Sequence, residues 1–514
     1  MRTLILPCFL LIGVLARSQA PTNATDTATD PTGKTTNATT TSGQSSAAPA
    51  AGGPITFGPV TFTGYARLRL YAWDWFQPAT GENQYEFSGN IVRLNFAEKL
   101  QRWDWDAEFA VPIFFGLPTG ATVPAPQGAL GFGSNFYTAN GSNRNTALTY
   151  PKQLFARLDG LGGYEGQTLQ IGRFIFFDGS EIVPKNAALA TVKSHRLAQR
   201  LLGDFGFTEP GRAFDGLHYS FSRPSNNFTF VAAVPTRGVL QVDGWGWNQI
   251  GFGYGAYTHD WGRGRHAADT RFFVLEYLDW RGVLKTDNRP VAVRRGDTEN
   301  IRIETYGGHS VHTITTKAGT IDLLGWGAVQ TGRWGTERHR AFAFDVESGW
   351  QPKILPTLKP WLRAGFREGS GDSKPNDSTH GTFFEMLDTP RLYARTPFFN
   401  TMNMQDLNGS LTFCPHPKVT VSSEFHSLRL ASPNDLWYSG GGAYQPWSFG
   451  FTGRSTSGRR SLANLYDTNF EYLAGPKLTL TAYIGYVQGL AAMEVIYPRD
   501  KNGRLGILES LFRF

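Results

Sequence analysis

The chain has 514 residues, a formal charge of +7, 14% aromatic residues, 59 Gly and 2 Cys, with a negative mean hydropathy of −0.29. No run of about 18 apolar residues occurs, which excludes a multi-helix membrane protein. Two cysteines exclude a disulfide framework or a cysteine-rich metal site. The Gly and aromatic excess argues against a helix-rich enzyme, and one large barrel suits this length better than several soluble domains.

Residues 1–20 read as a secretory signal. Arg2 gives a basic start, residues 4–15 a short apolar stretch, and Ser18-Gln19-Ala20 a small-x-small cleavage site. Processing there would remove Cys8, leave Cys414 alone, and lower the charge by two, from +7 to +5, through Arg2 and Arg17. Residues 21–53 are almost all Ala, Thr, Ser, Asn, Gly, Pro, Gln and Asp. Such a segment buries too little apolar surface to offset ordering, so it is expected to be a disordered tether. The Asn-x-Thr triplets in it would mark glycosylation only in a eukaryotic secreted protein.

Residues 54–514 are expected to form one transmembrane antiparallel β-barrel. From Val60 onward apolar and polar residues alternate: Phe62, Ala66, Leu68 and Leu70 oppose Thr63, Tyr65, Arg67, Arg69 and Tyr71. Near the end, Leu478, Leu480, Ala482 and Ile484 oppose Thr479, Thr481 and Tyr483. Such segments run for ten to fifteen residues, against about 5–6 for ordinary strands and about 9–11 for a membrane crossing. Short turns are predicted at 99–101, 161–166, 224–226, 262–269, 317–318, 353–356, 415–417 and 475–476. Mostly longer loops are predicted at 77–84, 114–150, 178–212, 236–248, 281–299, 333–338, 368–404, 431–460 and 489–504. Eight turns and nine loops make about eighteen strands, and the alternation of short with long connections is that of outer-membrane barrels. The chain ends on Leu508, Phe512 and Phe514 along one face, so Phe514 is expected to engage the barrel-assembly machinery.

Assigning the more polar face of each strand to the inside places Arg67, Arg69, Arg93, Arg157, Arg173, Arg302, Arg363 and Arg367 in the lumen. Glu304, Tyr306, Asp345, Glu347, Glu424, His426, Asp467, Glu509 and Arg513 join them. Arg suits such a wall because it makes bidentate contacts with carboxylate and phosphate. Within 178–212, Lys193, Arg196 and Arg200 are spaced three and four apart and would share one face of a helix. Folded inward, this loop would set cations at the constriction; left outside, it would face lipopolysaccharide. Gly369-Ser370-Gly371-Asp372 followed by Asp377 offers a weak calcium site. Cys414 and His416 lack further ligands nearby, so no metal and no cofactor is expected. The His218/Ser220, His309/Ser310 and His426/Ser427 neighbours carry no elbow or oxyanion motif, and the chain is expected not to be an enzyme. Nucleic acid is no partner in this compartment.

Four short motifs, in order, resemble the alginate-export family of outer-membrane barrels. They are Gln167-Thr-Leu-Gln-Ile-Gly-Arg173, Phe214-Asp215-Gly216, Ser370-Gly371-Asp372 with Asp377 and Thr382-Phe383, and Leu465-Tyr466-Asp467 leading to Gly485-Tyr486 and Gly489. The resemblance implies an eighteen-stranded monomeric barrel that lets a polyuronate leave the cell through an arginine-lined pore with an opposing acidic residue. It makes Arg173 and Asp215 the best-matched pore candidates. The chain departs from the family after Thr382-Phe383, where residues 388–393 replace a Pro-x-His-x-Tyr-Tyr run. The expected function is passive diffusion or export of an anionic polysaccharide, or of related anionic solutes, across the outer membrane of a Gram-negative-type bacterium. The alternatives are a general or sugar-selective porin, a lipase-like outer-membrane enzyme, or an adhesion barrel.

Overall fold

The structure, a computed structural model, describes residues 55–261, 264–389 and 394–514. The expected signal at 1–20 with Cys8, the tether at 21–53, and residues 390–393 of the departing segment lie outside the described residues.

Eighteen antiparallel strands close on themselves. In chain order they are β1 Val60–Asp74, β2 Gln84–Lys99, β3 Trp103–Phe115, β4 Tyr150–Asp159, β5 Gln167–Phe174 and β6 Phe214–Arg223. Next come β7 Asn226–Pro235, β8 Ile250–Trp261, β9 His266–Asp279, β10 Ile301–Thr315, β11 Gly319–Trp334 and β12 Glu337–Pro352. The last six are β13 Trp361–Gly369, β14 Met404–His416, β15 Val419–Leu430, β16 Ser461–Leu473, β17 Leu478–Gly489 and β18 Gly503–Arg513. Each pairs with its neighbours in sequence, and β1 closes the ring on β18 with Tyr65 opposite Arg513 and Asp74 opposite Arg504. All seventeen connections follow the expected parity: eight short ones at the end that holds both strand termini, nine at the other.

Alternation fixes the two faces. Outward residues are apolar and open: Phe272 is 67% exposed, Ile484 70% and Leu508 60%. A water-soluble sandwich would bury such a row against a second sheet; here only lipid can cover it. Inward neighbours are buried, because loops from the long-loop end fill the interior. Their side chains pack with inward residues of the wall: Leu201, Leu202, Phe384, Leu387 and Tyr444 join Tyr254, Phe273, Tyr277, Trp326 and Trp334 in one cluster.

The seam depends on a glycine. Gly64 exchanges backbone bonds with the last residue, its N–H donating to the Phe514 carbonyl at 2.9 Å while the Phe514 N–H donates back at 3.0 Å. A Cβ on Gly64 would lie 2.5 Å from the Arg93 carbonyl oxygen and 2.7 Å from the Phe514 ring. That ring also packs 5.7 Å from Phe62. Phe514 is half-buried, so Phe514→Ala should destabilise closure by about 2 kcal/mol, roughly half the cost of a fully buried ring. The expected result is a lower temperature at which the compact, fast-migrating gel form converts to the unfolded one.

Candidate functional site: the lumen and its inward-folded loop

Residues 175–213 fold into the barrel. Their sequence supplies the reason: Leu189, Val192, Leu197, Leu201, Leu202, Phe205 and Phe207 are all buried in the interior, and each such side chain contributes about 1.5–3 kcal/mol on leaving water. Asn186 caps a short helix, α1 Ala187–Val192, its Oδ1 accepting from the Leu189 N–H at 3.0 Å. The helix widens into a π turn over Lys193–Leu197 and ends. Lys193 and Arg196 therefore share a helical segment, as their spacing suggests, but Arg200 lies beyond it.

Charge fixes how the loop sits. Its cations meet wall carboxylates: Lys193 with Asp269 at 2.8 Å, Arg196 with Glu347 at 3.0 Å and Glu424 at 3.4 Å, and Arg200 with Asp345. Its carboxylates meet wall cations. Asp178 and Glu181 flank Arg271 at 3.4 and 3.0 Å, and Glu209 lies 3.7 Å from Arg69 and 4.0 Å from Arg67. Burial pushes the Asp178 carboxyl up. Burial acts the same way on Glu181, but the Arg271 guanidinium, the Lys193 ammonium and the Tyr254 hydroxyl together outweigh it and hold that carboxyl below its usual range. Removing one partner of a buried pair costs about 3–5 kcal/mol, because the other charge stays desolvated.

Most of the expected pore arginines do face inward, and each is engaged. Arg67 donates to the Gly206 and Thr208 carbonyls of the loop, both at 3.2 Å. Arg69 pairs with Glu509, Arg93 with Glu108 at 3.1 Å, and Arg157 with Asp104 at 2.6 Å. Arg363 pairs with Glu347 at 2.6 Å and with Asp322, and Arg367 with Asp406.

Five residues expected in the lumen are not there. On β5 and β6 the inward positions are Gln170 and His218, which face each other in register with the inward Arg157. Arg173 and Asp215 fall on the outer face. They form a bidentate pair, both contacts 2.7 Å, which a loop then covers: Arg173 donates to the Gly244 and Trp245 carbonyls, each at 3.0 Å. Arg302 on β10 is likewise outward and 60% exposed, paired with Glu276 at 2.8 Å. Glu304 and Tyr306 share its face. The rule that the polar face is the inner one holds only at lipid depth; near the long-loop end the outer face is polar as well.

Two inward cations escaped the sequence reading. Lys152 sits at a bulge opposite Glu108 and Phe109 and donates to the Pro210 and Arg212 carbonyls at 3.1 and 2.7 Å. The bulge breaks the alternation that would have flagged it. Arg271 lies two residues after Asp269, and that i, i+2 spacing was the available signal. The proposed calcium ligands cap turns instead: Asp372 accepts from the Lys374 N–H and Asp377 from the Thr379 N–H. No group of three His, Cys, Asp or Glu side chains suited to a metal exists among the described residues.

The lumen near the strand termini is wetter. Asn95, Asp106, Arg157, Asp159, Glu471 and Arg513 line it, all half-buried. At the opposite mouth the loops leave a cavity of about 440 Å³, walled by Trp73, Trp75, Phe132, Phe205 and Phe449.

A second loop docks beside the first through its residues 370–389. His380, on a two-residue strand beside β12, stacks on Trp334 with ring centroids 4.0 Å apart. Its Nδ1 is 2.9 Å from Nδ1 of His339, whose Nε2 meets Gln330 Oε1 at 3.1 Å. One proton per ring satisfies this chain: His339 donates to Gln330 and accepts from His380. Burial, with Arg289 adding to it, pushes the His380 imidazole down to about 3.

Residues 260–489 match the model of the alginate export family. The match includes the Ser370 and Leu465 motifs and begins after Arg173 and Asp215. No curated protein matches the chain by sequence. Solved porin structures share the fold. Pseudomonas aeruginosa OpdK with vanillate superposes with a TM-score of 0.53 at 9% identity, over 88% of this chain and 98% of that one. For P. aeruginosa OccK9 (OpdG) the values are 0.55, 9%, 89% and 98%. For P. aeruginosa OccK2 (OpdF) in complex with glucuronate they are 0.52, 8%, 88% and 96%.

The His380 shift sets a pH dependence. The neutral ring's contribution is fully present above the ordinary histidine value of about 6.5 and is lost as pH falls toward 3. By pH 5 the loop seat should have lost about 2 kcal/mol. The protection of amides in 370–381, measured relative to the intrinsic exchange rate at each pH, should therefore be lower at pH 5 than at pH 7.5, and His380→Gln should flatten the difference.

Proposed function

We propose that this chain is an outer-membrane channel for passive diffusion of anionic solutes, with a polyuronate-type polysaccharide as the exported class. The observation that carries the reading is the inward-folded loop, which sets Lys193, Arg196 and Arg200 across the lumen against wall carboxylates. At the border of this plug Glu424 remains 29% exposed while it pairs with Arg196. A carboxylated solute arriving there competes with Glu424 for a guanidinium already aimed into the lumen, which lowers the cost of stripping water from the solute. The alginate export match supports the polysaccharide class. The vanillate and glucuronate bound by similar barrels are carboxylates too, which supports anionic solutes in general. In this reading the short-turn end faces the periplasm, Phe514 is the assembly signal, the barrel works as a monomer among lipid and lipopolysaccharide, and no cofactor takes part.

One observation favours a second reading, lipid hydrolysis. On the outer face Ser310 Oγ lies 2.9 Å from His312 Nε2, and His312 Nδ1 lies 3.1 Å from His266 Nε2. The order is that of a nucleophile, a base and an orienting group. Ser310 sits within two strand ladders, opposite Thr270 and Gly325, so its neighbours' backbone donors are engaged rather than free to hold an oxyanion.

Planar-bilayer recordings separate these readings. The purified protein should conduct with an anion-selective reversal potential and be blocked by polyuronate. Arg196→Gln should reduce the selectivity, whereas Arg173→Gln, on the outer face, should leave it unchanged. Cation preference, or no block, would overturn the proposal, as would fatty-acid release from phospholipid that Ser310→Ala abolishes.

A further inference from the structure

The outer face of strands β9 to β12 changes character within two rungs of the ladder. One rung is apolar: Val274, Tyr306, Val329 and Phe342 lie side by side in register, from 44% to 55% exposed. The next rung toward the long-loop end reads Glu276, Glu304, Thr331 and Arg340. The one after reads Leu278, Arg302, Arg333 and Arg338. Directly opposed residues of neighbouring strands have Cβ atoms about 4.5–5.5 Å apart, and like charges so placed destabilise a sheet. Three arginines in one row is therefore a costly arrangement, and only part of it is compensated within the chain. Glu276 and Glu304 both lie against Arg302, at 2.8 and 3.8 Å. Arg333, Arg338 and Arg340 are exposed, and no carboxylate lies within 4.0 Å of them among the described residues.

The position narrows what could neutralise them. Successive rungs on one face are about 7 Å apart, so the three guanidinium groups stand within two rungs of side chains that only lipid can cover. That is the depth of headgroups, where a charged side chain on the outer wall of a barrel is tolerated. Three arginines around one spot match a phosphate, whose oxygens accept paired N–H donors from each planar guanidinium. The acidic edge formed by Glu276 and Glu304 confines such an anion to the β11–β12 side.

We propose that Arg333, Arg338 and Arg340 form a binding site for a phosphorylated headgroup of an outer-leaflet glycolipid, seated with its acyl chains over Val329 and Phe342. This site rests on the membrane orientation proposed above but not on the lumen's selectivity. It also gives Arg302 a role, as the paired edge of a lipid site rather than part of a pore wall.

The test uses the full-length protein in dodecyl maltoside micelles, with bisphosphorylated lipid A as probe and native mass spectrometry as readout. Wild type should retain lipid A. R333Q/R338Q/R340Q should bind it about 100-fold more weakly, as three fewer cations at an anionic surface imply, while lipid A stripped of both phosphates should bind wild type and variant alike. The variant's folding is checked by its compact gel form, and Thr331→Ala serves as a neutral substitution in the same patch. Equal retention by wild type and the triple variant would overturn the proposal. So would displacement of the lipid by millimolar inorganic phosphate, which marks a free-anion site. Bilayer conductance of the same samples separates the two readings: a conducting wild type that retains no lipid A refutes this site and leaves the channel intact.

Discussion

Backbone hydrogen bonding governs this molecule. A strand facing lipid has no water to satisfy its N–H and C=O groups, so every one must be bonded within the wall, and only a closed sheet leaves no edge. The pairing of β1 with β18 supplies that closure. Once the ring is closed, alternation follows: each strand offers one face to lipid and the other to the lumen. The negative mean hydropathy of a chain that spans a membrane is then unsurprising, because half of each strand and all of the loops face polar or internal surroundings.

Closure creates an interior that must itself be filled or hydrated. In the half near the strand termini it is lined by half-buried polar groups. In the other half, loops enter and make a core of aromatic and aliphatic side chains. Apolar packing alone would let the 175–213 loop settle in many positions. The ion pairs remove that freedom, since the loop's cations find carboxylates on β9 and β12 while its carboxylates find arginines on β1 and β9. A shift of the loop by one position would leave buried charges of both signs without partners. That penalty, about 3–5 kcal/mol for each broken pair, gives the plug one defined seat.

Much of this architecture was legible in the sequence, for a physical reason. Strand length and connection parity are consequences of crossing a bilayer, and they persist whatever the channel carries. Face assignment was readable only where lipid imposes it. Arg67, Arg69, Arg93, Arg157, Arg363 and Arg367 alternate with apolar residues at membrane depth and do point inward. Arg173, Asp215 and Arg302 lie near the long-loop end, where the outer face is polar too, so polarity no longer separates inside from outside. Lys152 was hidden by a bulge, and Arg271 failed in the opposite way. The upper lumen is packed rather than wet, so its inward face reads Phe273, Leu275 and Tyr277, and a cation among them looks misplaced rather than structural.

The same packing revises what an arginine-rich lumen means. Most cations of the plug and wall are offset by carboxylates, while Arg67, Lys152 and Arg212 are held by backbone carbonyls, so they do not add up to a basic funnel. An anion gains most where a pair is only partly desolvated, because there it can replace a carboxylate without exposing another buried charge. Arg196 beside Glu424 is such a place; Arg271, fully buried between Asp178 and Glu181, is not. For the proposed channel, selectivity would therefore rest on the borders of the charge network rather than on its centre. Any widening of the path that moves the plug would uncover acidic and basic groups together, so it would enlarge the pore more than it would change its preference.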